Sequence, residues 1–64
     1  MDYIWYSPQN KTYQVGNAME YDIQRANAVA PEDMVILYEL DEVTCRLAGK
    51  IVNELNSARA DVRV

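Results

Sequence analysis

One stretch of the sequence constrains the fold more than any other, because an apolar run there leads directly into an amphipathic segment. Within the run, residues 34–40, only Glu39 is charged, and the aliphatic and β-branched residues around it are typical of a strand. A strand with so few polar side chains indicates burial on both faces. We therefore expect it to lie centrally in a sheet or to be covered by a partner.

The segment that follows, residues 41–58, has the periodicity of a long C-terminal helix with Asp41 as its cap. At about 100° per residue its apolar side chains span about 200°, whereas a surface helix needs little more than about 100°. One side of this arc is expected to cover the sheet. The other side, around Cys45, Ala48 and Val52, packs against the first helix or against a second subunit, and both alternatives stay open.

The first residues predict a β-hairpin rich in aromatic side chains. Residues 3–6 and 11–15 have strand-forming character, and residues 7–10 between them are typical of a turn. Side chains alternate between the faces of a strand, so both faces of this hairpin carry aromatic residues. Tyrosine and tryptophan are enriched in binding hot spots. The pattern indicates either ordinary cross-strand packing or a partner-binding face formed by Tyr3, Trp5, Tyr6 and Tyr13.

A short helix is predicted between the hairpin and the apolar strand. Asn17 and Glu20 have the spacing of a capping box, and Met19, Ile23 and Ala26 recur at helical intervals. A continued strand over the same residues is the alternative. A helical connection between the second and third strands favours a right-handed crossover, and we expect the strand order 2-1-3 in preference to 1-2-3.

These elements predict an α+β fold with the order ββαβα. Three strands form a mostly antiparallel sheet, and the short helix and the long C-terminal helix pack on one face of it. The 64 residues form a single domain, in which residues 60–64 are expected to fray. One cysteine and no histidine exclude an internal disulfide and the usual zinc ligands, so self-association is the remaining route to extra stability.

The charge pattern restricts the possible partners. Ten acidic residues against six basic ones give a net charge of −4, and the basic residues are scattered singly. Direct nucleic-acid binding is therefore disfavoured. No apolar run approaches the roughly 20 residues of a membrane span, and the N-terminus lacks the features of a signal peptide. We expect a cytoplasmic protein without membrane contact.

No residue pattern predicts catalysis, a cofactor or a metal site. Cys45 has no histidine to act as its base, and the acidic pairs at residues 32–33 and 41–42 are typical of a turn and a helix cap. The sequence predicts a small non-enzymatic interaction or regulatory protein. We expect it to form a homodimer through the C-terminal helix or the aromatic hairpin, and an unidentified protein is a further possible partner. The alternative is an acidic inhibitor protein of a mobile element that occupies the nucleic-acid-binding surface of its target.

Overall fold

The computed structural model describes residues 1–62, with side chains described through residue 59. The sheet has the order β2-β1-β3, and β1 is antiparallel to both of its neighbours. The α+β class, the element order and the central position of the first strand are therefore confirmed. The elements are β1 (Asp2–Ser7), β2 (Thr12–Asn17), α1 (Ala18–Ala26), a 3₁₀ turn (Pro31–Asp33), β3 (Ile36–Leu40), α2 (Glu42–Cys45) and α3 (Ala48–Val62).

The core is built on two consecutive residues of the central strand. Ile4 and Trp5 are 0% and 1% exposed, and because side chains alternate along a strand they point to opposite faces of the sheet. Both faces of β1 are therefore covered within the chain. Large apolar side chains of this kind contribute about 1.5–3 kcal/mol each when they are fully buried.

On the Ile4 face the sheet packs against the C-terminal helices. Ile4, Leu40 and Ala48 form the buried cluster. Around it lie the partly buried side chains of Tyr13, Cys45, Ile51, Val52 and Leu55.

On the Trp5 face the sheet packs against α1. The Tyr21 ring meets the Trp5 ring edge-on, with 5.4 Å between centroids, and the Trp5 indole donates to the Gln24 side chain at 3.4 Å. The Tyr21 hydroxyl donates to the Met34 carbonyl at 2.6 Å, which ties α1 to the segment before β3. The two helices, expected on one face, thus divide between the two faces of the sheet.

In this arrangement the apolar residues that recur along α1, Met19, Ile23 and Ala26, face away from the sheet. Tyr21 and Gln24 face the sheet, so Met19 and Ile23 point to the opposite side of the helix and are 69% and 57% exposed. The possibility that α1 fills the second side of the C-terminal arc is therefore excluded, because the two helices lie on different faces.

The predicted caps are present at both helix starts. Asn17 accepts from the Glu20 backbone N–H at 2.8 Å while Glu20 accepts from the Asn17 N–H at 3.4 Å. At α2, Asp41 accepts from the Thr44 N–H at 2.8 Å, and the Thr44 hydroxyl oxygen accepts from the Asp41 N–H at 2.9 Å. These bonds satisfy N–H groups that have no partner within the helix.

The C-terminal helix differs from the continuous one expected from residue 41. The chain forms the short α2, tightens where the Leu47 N–H donates to the Thr44 carbonyl at 2.9 Å, and begins α3 at Ala48. A single helical wheel therefore does not describe the segment. Val43 and Leu47 belong to the predicted apolar arc but are 72% and 52% exposed, so the expectation that one side of the whole arc covers the sheet is wrong for these two residues. The predicted fraying of residues 60–64 stays a prediction. The side chains of these residues, and the backbone of residues 63 and 64, lie outside the described part of the chain.

The two glycines give a matched pair of stability predictions. A Cβ on Gly16 would lie 2.8 Å from the Trp5 ring, which is fixed in the core, whereas a Cβ on Gly49 would meet nothing within 4 Å. We expect Gly16→Ala to lower the free energy of unfolding by about 1–3 kcal/mol through overpacking. Gly49→Ala, at the second residue of α3, is expected to raise it, by at most about 0.5–1 kcal/mol. Urea unfolding of both variants measures the difference, and equal effects would contradict it.

The Asp41 cap predicts a specific pH dependence of stability. Hydrogen bonds from the Thr44 backbone and side chain hold the pKa of Asp41 below its ordinary value of 3.8. The cap therefore stabilises the fold above the pKa of the unfolded chain, and this contribution disappears as the pH falls through the lower, folded-state pKa. Asp41→Asn keeps a cap that does not titrate, so its thermal midpoint should fall less than that of the wild type between pH 6 and about pH 3. Thermal midpoints that fall equally with pH in the two proteins would contradict the role of the Asp41 carboxylate as a cap.

Candidate interaction surface

The residues predicted to bind a partner lie within the subunit or at its margins. Trp5 and Ala48 are buried, at 1% and 5% exposed, and a side chain so enclosed has almost no surface to offer. The other five are half-buried, and three of them line the Ile4 core cluster. The half-buried residues are Tyr3, Tyr6, Tyr13, Cys45 and Val52.

Cys45 is held as a thiol rather than prepared as a nucleophile. Its Sγ donates to the Asp2 carboxylate at 3.1 Å, and this bond, together with desolvation and the negative charge of Asp2, raises the pKa of Cys45. A raised pKa lowers the fraction of thiolate at neutral pH. The bond to Asp2 joins α2 to β1, and Cys45 is mainly a protonated thiol at neutral pH.

The outer edge of β2 is closed by α3. The Asn56 side chain accepts from the Tyr13 N–H at 2.8 Å and donates to the Tyr13 carbonyl at 3.2 Å. Nearby, Arg59 donates to the Lys11 carbonyl at 2.7 Å. One amide side chain thus takes the place that a neighbouring strand would occupy. We call this edge the sealed β2 edge.

Aromatic side chains hold the same region in place. Tyr6 and Tyr13, opposite each other on β1 and β2, meet edge-on with 5.3 Å between ring centroids. The Arg59 guanidinium lies 4.8 Å from the centre of the Tyr6 ring, within the range of a cation–π contact. Of the two functions that the hairpin sequence allowed, Tyr6 and Tyr13 perform packing within the chain.

The outer edge of β3 is different, because no described residue pairs with it. β1 lies on one side of β3, and the sheet ends on the other. Four consecutive apolar residues here are substantially exposed: Val35 at 58%, Ile36 at 39%, Leu37 at 40% and Tyr38 at 48%. We call residues 35–40 the open β3 edge. The apolar run at 34–40 is therefore an edge strand, so its expected central position is wrong; cover by a partner stays a prediction.

The register shows which backbone groups face outward. The Tyr6 N–H donates to the Val35 carbonyl, so the polar groups of alternate β1 residues, Ile4 among them, point toward β3. Tyr38, opposite Ile4, points back toward β1. By alternation, the N–H and C=O of Glu39 point away from the sheet, and no residue in the described part of the chain bonds to them.

A β-bulge interrupts this edge. Ile4 is opposite Tyr38 whereas Trp5 is opposite Ile36, which leaves Leu37 as an extra residue on β3. Bulges twist an edge and limit indiscriminate pairing. Together with the charge of Glu39, the bulge restricts the strands that fit the open β3 edge.

Other kinds of site find little support in the described part of the chain. The most enclosed cleft, about 250 Å³ near Ser7 and Gln24, is smaller than typical small-molecule pockets of about 300–1,000 Å³, and no carboxylate or amine lines it. Three larger hollows of about 420–600 Å³ are shallow and open to solvent. Within residues 1–62, no three potential metal ligands come together. No helix in this range is long and apolar enough to cross a membrane.

Comparisons with known proteins add no functional assignment. No family model, no curated protein and no solved structure matches the chain. The open β3 edge is therefore identified from geometry alone. The signal for it was present in the sequence as an apolar strand, but the same composition also describes a strand buried between two others.

Asn56 provides the test of the sealed β2 edge. Asn56→Ala removes both bonds to Tyr13, and we expect it to lower the free energy of unfolding by about 1 kcal/mol after the gain in helix propensity is included. Asn53→Ala, at an exposed position of the same helix, is the matched control and should be neutral or slightly stabilising. Urea unfolding followed by circular dichroism compares them. Equal stability of the two variants would contradict the role of Asn56.

Proposed function

We propose that this chain is a small, non-enzymatic protein-interaction protein that binds an extended segment as a fourth strand beside β3. In this mode the backbone hydrogen bonds of the edge provide affinity, and the side chains on its two faces provide selectivity. Such binding requires no reactive group. It requires an accessible strand edge with apolar side chains beside it.

The different treatment of the two sheet edges carries this proposal. Asn56 binds the outward N–H and C=O of Tyr13 on the β2 edge, whereas the outward N–H and C=O of Glu39 have no described partner. An exposed apolar edge promotes unwanted association, so proteins usually cover or interrupt it. Closure of one edge and exposure of the other supports strand addition at β3.

The exposed apolar residues beyond the strand support the same surface. Val43 and Leu47 follow β3 in the chain, four positions apart, and both are exposed. Val43 belongs to α2, which packs next to β3, and Leu47 belongs to the turn between α2 and α3. They extend the apolar character of the region beyond the strand itself, which gives a bound segment more surface to contact.

Self-association is part of the proposal, in a form that differs from the expected helix or hairpin interface. Two copies are proposed to pair their β3 strands antiparallel about a two-fold axis, which joins two three-stranded sheets into one of six. Because the axis is two-fold, each subunit contributes the same edge, β3, to the interface. It leaves the packing of α1 and α3 unchanged in each subunit.

A proline at the outward position of each edge tests where association occurs. Glu39→Pro removes an N–H that faces away from the sheet, so the fold should tolerate it while strand addition at β3 is blocked. Val15→Pro is the matched control, since Val15 is opposite Ile4 on β2 and its N–H also points outward. We expect light scattering on a size-exclusion column to show wild-type self-association that Glu39→Pro abolishes and Val15→Pro preserves.

Two further measurements complete this test. Glu39→Gln separates loss of the charge from loss of the N–H, and it should retain association. Amide exchange should show faster exchange at residue 39 in dilute wild-type protein than in concentrated protein. A mass of 7.4 kDa at every concentration would remove the homodimer, and equal loss of association in both proline variants would place the interface elsewhere.

A further inference from the structure

The open β3 edge lies in the most acidic part of the chain. Between residues 25 and 46 there are five carboxylates and two guanidiniums, a net charge of −3 out of −4 for the whole protein. All five carboxylates are exposed. They belong to Glu32, Asp33, Glu39, Asp41 and Glu42.

These carboxylates bracket the strand at both ends. Glu32 and Asp33 lie in the 3₁₀ turn before β3, and Asp41 and Glu42 begin the helix after it. A strand of five residues spans about 17 Å, roughly twice the Debye length of about 8 Å at physiological salt. The two acidic pairs therefore act separately, each on the nearer end of whatever segment pairs with β3.

The two nearby cations do not cancel this field. Arg25 reaches the Pro31 carbonyl at 3.5 Å, so its guanidinium lies close to the 3₁₀ turn and offsets part of the charge there. Arg46 follows α2, one turn after Glu42. Glu39 is the fourth of the five strand residues, so it adds negative charge at the end of the strand that leads into α2.

A second copy of this chain fits such an edge less well than a segment with positively charged ends does. Antiparallel pairing of two β3 strands places the 3₁₀ turn of each subunit beside the α2 start of the other. Carboxylates then meet carboxylates at both ends, and like charges across a strand pair are unfavourable. The apolar centre of the edge is compatible with self-pairing, but its flanks oppose it.

We infer that the preferred occupant of the open β3 edge is an extended apolar segment of another protein, flanked on both sides by lysine or arginine. The inference rests on the proposed strand addition and names the chemistry of the partner. The central residues of such a segment meet Ile36 on one face of the sheet and Tyr38 on the other, while its flanking cations meet the acidic ends. Pairing of two β3 strands is then weaker than binding of such a segment, and its affinity should increase as salt screens the repulsion between carboxylates.

Two synthetic peptides test the inference. In both, five central residues alternate valine and threonine; one has two lysines at each end and the other two glutamates. Fluorescence anisotropy of labelled peptides should show that the lysine-flanked one binds tenfold or more tightly at low salt, since several exposed ion pairs each contribute about twofold. This preference should shrink several-fold when the salt is raised to about 0.5 M.

Variants separate the two parts of the argument. Glu39→Pro should abolish binding of the lysine-flanked peptide, whereas Val15→Pro should not. A triple variant, Glu32→Gln, Asp33→Asn and Glu42→Gln, leaves the Asp41 cap intact and should reduce the preference to about twofold. Thermal unfolding confirms that each variant is folded.

Each outcome leads to a distinct conclusion. If both peptides bind equally and Glu39→Pro abolishes binding, strand addition stands and the basic partner is overturned. If neither peptide binds but the protein forms a dimer that Glu39→Pro disrupts, the occupant is a second copy and the inference fails. If no binding or association depends on Glu39→Pro, both the inference and the proposed function are overturned.

Discussion

The burial of Ile4 and Trp5 back to back on β1 is the constraint on which the rest of the structure depends. Consecutive large side chains on a central strand require cover on both faces, and a chain of 64 residues has one helix for each. α3 takes the Ile4 face, mainly over β2, and α1 takes the Trp5 face, over β1 and β2. Only the four-residue α2 remains for β3. The exposure of the third strand is thus a direct result of how the first is buried.

The two edges of the sheet differ in whether their backbone polar groups are hydrogen-bonded and in whether their apolar side chains are covered. At β2, a single asparagine side chain satisfies an N–H and a C=O of Tyr13, and Arg59 covers the neighbouring turn. At β3, a bulge and the charge of Glu39 limit which strands fit, while the apolar side chains stay accessible. An edge that is restricted but uncovered suits selective pairing better than it suits isolation, because isolation is achieved more completely by the kind of cover present at β2.

Local features of the fold could be predicted from the sequence, whereas the placement of surfaces could not. The Asn17–Glu20 box and the Asp41 cap depend on neighbours three residues apart, and the hairpin depends on a short turn. A helical crossover predicts that β3 runs parallel to β2, and this direction alone is compatible with either order, 2-1-3 or 1-2-3. In contrast, an apolar run such as residues 34–40 looks the same whether the strand is central or at an edge. The width of the apolar arc in the C-terminal segment was also wrong, because it was calculated for one continuous helix, and the segment forms two helices, α2 and α3.

The contacts between α3 and the hairpin join residues that are far apart in the sequence, which affects the order in which the sheet edges are covered. Asn56 contacts a residue 43 positions earlier in the chain, and Arg59 contacts one 48 positions earlier. All three strands leave the ribosome before the helix that closes β2, because N-terminal parts emerge first. In any state where the sheet forms before α3 packs on it, both outer strands are therefore unprotected, and the contacts of Asn56 and Arg59 then cover one of them.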